Sequence, residues 1–100
     1  MTRRVKLAVN DLPIDLDYFV AGYLDHVVGG IVASLRDTGE IREVKLNIDN
    51  EGQVTINLNG ADVPLTPFPV EIIGSTIRGI IAPLKGVDAA VNTLELTINR

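Results

Sequence analysis

The chain has 100 residues, enough for one domain with one core, and its 46% hydrophobic and 22% charged composition is that of an ordinary globular protein. A net charge of −4 and a pI near 4.7 have the wrong sign for a general binder of phosphate backbones. The absence of cysteine excludes disulfides, thiolate metal sites and thiol nucleophiles.

The basic start, with Arg3, Arg4 and Lys6, has no apolar run behind it, so it does not read as a secretory signal; a solvated strand edge accounts for the cluster. Residues 5–16, VKLAVNDLPIDL, alternate apolar and polar character about Asn10-Asp11. That pattern predicts a hairpin with Val9 facing Leu12, Leu7 facing Ile14 and Val5 facing Leu16. Aspartate enters the left-handed region less readily than glycine, which makes this turn the less regular of two. Asp17 then offers a helix N-cap, and Val20, Leu24, Val27, Val28, Ile31 and Leu35 follow the spacing of a buried helical stripe, with Gly39 as the stop. Val44, Leu46 and Ile48 alternate with Glu43, Lys45 and Asn47 as a strand with one wet face.

Asp49-Asn50-Glu51-Gly52 reads as a tight turn leading into residues 54–65, VTINLNGADVPL. Asn59-Gly60 is the strongest short hairpin signal, because a type I′ turn needs two residues at positive φ; it sets Leu58 opposite Ala61 and Ile56 opposite Val63. Thr66 is the N-cap of a second helix with Pro67 at its first position, where the missing N–H costs nothing. Ile73, Ile77, Ile80, Ile81 and Leu84 form its stripe; Pro83 ends or kinks it, and Gly86 follows as a stop. Leu94, Leu96 and Ile98, alternating with Glu95, Thr97 and Asn99, make the last strand.

The same order is thus written twice. GGIVASLRD at 29–37 matches RGIIAPLKG at 78–86, and Val5, Asn10, Leu16, Phe19 and Gly30 meet Val54, Asn59, Leu65, Phe68 and Gly79. One residue is inserted near position 90, after which Leu46 meets Leu96 and Ile48 meets Ile98. Register kept through hairpin, helix and strand points to a duplicated unit. The expected architecture is α+β: a single domain (1–100) of two tandem ββαβ repeats (1–50 and 51–100), a largely antiparallel sheet with two helices over its apolar face, and pseudo-two-fold symmetry. The strand order is not readable from the sequence.

The stretch 59–87, NGADVPLTPFPVEIIGSTIRGIIAPLKGV, resembles short uncharacterised bacterial proteins that carry a "VNGxxIPLNPFV" hairpin, a helix and an ending like "SLKGV". The likeness covers most of the second repeat and, more faintly, the first, where LPIDLDYFV lacks the Asn-Gly turn and the proline after the cap. Its motifs are structural, so the resemblance implies a fold and carries no functional residue with it.

Reactive chemistry is sparse. His26 is the only histidine; Asp25 adjoins it, but successive residues on a helix do not face each other. Asp15 and Asp17 are explained by a wet strand face and a cap, and residues 49–52 lack the spaced ligands of a calcium loop. No P-loop, dinucleotide fingerprint, zinc-protease or nucleophile-elbow motif is present. No apolar stretch approaches the roughly 18 residues of a membrane span. Tyr18, Phe19, Tyr23 and Phe68 lie on helices or their starts, not on a strand platform of the kind that stacks nucleic-acid bases.

These features favour a non-enzymatic interaction or scaffold module of the cytoplasm, without cofactor, metal, catalytic residue, nucleic acid or membrane, that binds itself or another protein. The alternative is a small-molecule binder or enzyme with a groove between the repeats using Tyr23, His26 and nearby carboxylates. The expected interface is the outer face of the first helix: Gly22, His26, Gly29, Gly30 and Ala33. Three glycines there cost helix stability, roughly 1 kcal/mol each against alanine, and close approach of another backbone is one reason to keep them. The second helix carries Glu71, Ser75 and Arg78 where the first has Gly22, His26 and Gly29.

Overall fold

Strict alternation of Leu and Val with polar residues forces each strand to choose one face, and every strand here chooses the same one. A computed structural model of the chain describes residues 4–35, 40–84, 86–87 and 91–100. Arg3, the Gly39 helix stop and the insertion near position 90 lie outside these residues. The elements run β1 (Arg4–Val9), β2 (Leu12–Ile14), α1 (Tyr18–Leu35), β3 (Glu43–Ile48), β4 (Val54–Leu58), β5 (Ala61–Val63), α2 (Pro67–Ile81) and β6 (Leu94–Asn99). The order ββαβ therefore occurs twice, and the class is α+β as expected.

The six strands form one open sheet in the order β2-β1-β6-β3-β4-β5, with every pairing antiparallel. Leu7, Leu96, Leu46, Ile56 and Val63 stand in one row across five strands, and all five are buried. Their neighbours on the strands point to the other face, where Lys6, Thr97, Lys45, Asn57 and Asp62 make a polar row open to solvent or half-covered. Both helices lie on the apolar face, burying Leu24, Val28 and Val32 of α1 and Ile73, Ile77 and Ile81 of α2 against it. Each such side chain contributes about 1.5–3 kcal/mol on removal from water. The sheet ends in three-residue strands, one holding Pro13, so its free edges offer little for another strand to extend.

The pairings of the two halves correspond. Leu7 faces Leu96 and Ile14 on either side; the matching residue Ile56 faces Leu46 and Val63. At the centre Leu46 faces Leu96. The closing strand of each half sits beside the hairpin of the other: β6 separates β1 from β3.

Both hairpin turns are of the predicted kind. Asn10 and Asp11 take φ of 52° and 66°, and Asn59 and Gly60 take 51° and 89°. The two asparagines do more than turn the chain. The Asn59 carboxamide oxygen accepts the N–H groups of Arg42 (2.8 Å) and Glu43 (2.9 Å), and its Nδ2 donates to the Glu40 carbonyl (2.9 Å). Asn10 does the same across the sheet, accepting from Asn92 (2.8 Å) and Thr93 (3.0 Å). Each hairpin tip thus clasps the start of the closing strand that comes from the other half.

Helix ends follow local chemistry. Asp17 caps α1, its Oδ1 accepting the Val20 N–H at 2.8 Å. Thr66 occupies the cap of α2 but its side chain bonds no backbone N–H. Pro69, third in the helix, removes one of the two donors that such a hydroxyl normally meets. The helix stops at Ile81 before Pro83, and Gly86 takes φ of 91°. Asp49 accepts the N–H groups of Glu51 and Gln53, both at 2.9 Å, which makes 49–52 the plain turn expected between β3 and β4.

The clasp can be separated from the turn by mutation. Asn59→Gly keeps the backbone conformation and loses the side-chain bonds, at an expected cost of about 1–3 kcal/mol. Asn59→Ala adds left-handed strain and should cost about 1 kcal/mol more. Urea unfolding of the two variants measures both increments; two variants as stable as wild type would show that the clasp adds nothing.

Candidate functional site

A helix on the surface of a domain normally presents one apolar stripe and one polar face. α2 conforms. α1 is apolar nearly all round, and its 18 residues are long and apolar enough to cross a membrane by length and composition alone, against the expectation that no stretch comes near this. The same description fits the core helix of a folded domain. In the structure α1 lies along the sheet and carries a carboxylate into an ion pair there.

That carboxylate turns the helix. The buried residues of α1 are Leu24, Asp25, Val28, Gly29 and Val32, so the covered stripe is rotated away from Val20, Val27, Ile31 and Leu35, which are only half-buried. Asp25 Oδ1 accepts the Nε–H of Arg100, just past β6, at 2.8 Å, and the Asp25 carbonyl accepts Nη2–H at 3.2 Å. The Asp25 side chain is 4% exposed and that of Arg100 33%. Gly29, one turn on, leaves the space in which the guanidinium lies: a Cβ there would stand 2.5 Å from Arg100 Nη2.

The five residues expected to form an interface therefore divide. His26, Gly30 and Ala33 are exposed and Gly22 is half-buried, but Gly29 is buried beneath Arg100. Its glycine is explained by an intramolecular contact, and a bulky residue at 29 would test the fold, not an interface. His26 Nδ1 lies 2.8 Å from the Gly22 carbonyl oxygen, a bond donated by the Nδ1–H tautomer. No carboxylate is paired with the ring among the described residues.

What the outer face of α1 presents instead is aromatic. Tyr18 is 96% exposed, Phe19 71% and Tyr23 48%, and the rings of Phe19 and Tyr23 are tilted together with centroids 5.9 Å apart. With Gly22, His26 and Val27 they line a shallow groove along the helix. At the matching place α2 exposes Phe68 and Ile72. The groove between the two halves is a different one, running from Leu12–Asp17 to Pro83, Leu84 and Gly86. It contains neither Tyr23 nor His26, so the residues proposed for a small-molecule site between the repeats do not meet there. No group of three or more metal-ligating side chains occurs among the described residues.

The sequence places these aromatics on the helices or their starts, but their exposure is a finding of the structure. Their gathering into one ridge depends on the rotation set by Asp25 and Arg100, residues far apart in the chain.

Two adjacent glycines should respond differently. A Cβ at Gly30 would meet nothing, so Gly30→Ala should stabilise the protein by about 0.5–1 kcal/mol. Gly29→Ala should gain less than this or nothing, because its Cβ must displace the end of the Arg100 side chain from Asp25, which offsets the helix benefit of alanine. Thermal melts of the pair decide; equal shifts would show that Arg100 is not seated over Gly29. Comparisons of this chain with protein-family models, with curated proteins and with solved structures find no match.

Proposed function

We propose that this chain is a small interaction module without catalytic chemistry that associates with a second copy through the aromatic end of α1. The observation that carries this reading is the exposure of Tyr18, Phe19 and Tyr23 side by side on a helix that is apolar on its solvent side as well. At about 200 Å² per ring, these exposures offer roughly 400 Å² of contact surface, the size of a functional patch on a monomer. Two such patches facing each other remove about 800 Å² from water. With rim side chains added, that lies at the low end of specific interfaces and fits a reversible dimer.

The two ββαβ units are read as an internal duplication, supported by the matched registers and by the paired roles of Asn10 and Asn59. On this reading the halves have diverged in surface while sharing a scaffold: α1 became apolar outside, whereas α2 kept Glu71 and Ser75 there.

Sedimentation of the wild type over a wide concentration range should show a monomer–dimer equilibrium. Tyr23→Asp should weaken it at least tenfold, equivalent to about 1.4 kcal/mol, by placing a charge in the contact. Ser75→Leu, on the other helix, should leave it unchanged. A wild type that stays monomeric at every concentration, or a Tyr23 variant that dimerises like wild type, overturns the proposal.

A further inference from the structure

The two halves solve the same corner differently. Counterparts by register are Asp25 with Gly74 and Gly29 with Arg78. In the first corner a glycine makes room, a guanidinium arrives from past the end of β6, and a helix carboxylate meets it at 2.8 Å. In the second corner the guanidinium comes from the helix itself. Arg78, half-buried, lies between α2 and the turn after β3: its Nη1 is 3.5 Å from where a Cβ on Gly74 would stand, and its Nη2 is 3.6 Å from the same point on Gly52. The carboxylate is missing, because its place belongs to Gly74.

Arg78 makes no ion pair or side-chain hydrogen bond among the described residues. It borders a groove with Gly52, Gln53, Gly74 and Ser75, whose side-chain amide and hydroxyl add neutral donors. Glu71 lies at the same groove and is not paired with Arg78. A half-buried guanidinium keeps its planar fork of N–H donors, which matches a carboxylate through two parallel bonds.

We propose that this groove binds a carboxylate from outside the chain, which takes the position that Asp25 fills in the other half. The groove is on α2 and is independent of the aromatic ridge of α1. Both a free organic acid and an acidic side chain of a polypeptide supply this chemistry. Glu71 sets a limit on ligand charge, since an incoming anion is repelled by it.

The test is an NMR titration that follows the Arg78 Nε–H and the Gly52 and Gly74 amides at constant ionic strength. The probes are succinate, a short blocked di-glutamate peptide and inorganic phosphate. Saturable shifts with the carboxylate probes are expected in the millimolar range; tighter binding of the peptide assigns the carboxylate to a polypeptide, and tighter binding of succinate to a free acid. R78Q should weaken binding at least tenfold and R78K nearly as much, since an ammonium lacks the fork. E71Q should strengthen it about twofold or more as one like charge is removed. G74D should fill the site from within the chain, as an i, i+4 partner of Arg78, and abolish the response. If G74D does not fold, the Arg78 variants decide alone. No saturation in the wild type, unchanged binding by R78Q, or phosphate binding tighter than both carboxylates overturns the proposal.

Discussion

The fold depends on one pairing, that of β3 with β6 at the middle of the sheet, where Leu46 lies opposite Leu96. Neither half has a continuous sheet of its own, because β1 and β3 are not neighbours and neither are β4 and β6. Only when the two closing strands lie together does a six-stranded apolar surface exist for two helices to cover. The row from Leu7 to Val63 is continuous across that seam, so the core is one core and the halves cannot loosen separately.

Polar contacts complete what the apolar row begins. The asparagine clasps hold the first residues of β3 and β6 against hairpin tips of opposite halves, fixing the register of strands that apolar alternation alone would let slip by two residues. The Asp25–Arg100 pair fixes the rotation of α1. Without a buried carboxylate to satisfy, α1 would be free to turn its fully apolar stripe to the sheet. The aromatic ridge would then be partly covered, so the exposed surface follows from a polar constraint beneath it.

Much of this was legible in the residues. Asn59-Gly60, the flanking alternation, Asp17 as a cap and Pro83 as a stop are local signals with local causes, and the elements they predict are present. Asn10-Asp11 also forms its turn, with an aspartate at positive φ, because the clasp to Asn92 and Thr93 supports the tip. The strand order was not legible, since alternation tells which face is buried and not which strand lies beside which. The burial of Gly29 was hidden for the same reason. A glycine in a helix reads as a gap for something, and only the fold shows that the something is Arg100, reaching in from the far end of the sequence. The match of Asn10 with Asn59 was visible as an identity, but its purpose lay in partners many residues away.

The interleaving of the closing strands also governs how the chain reaches this state. β1 finds one partner at once in β2, but its inner edge stays bare until β6, the last strand of the sheet to be made, arrives. During ribosomal synthesis the first half must wait with an apolar strand edge and an uncovered helix stripe. Closure then joins the most distant parts of the chain in one late step, which makes folding slow for a protein of this size and leaves the nascent first half in need of shelter.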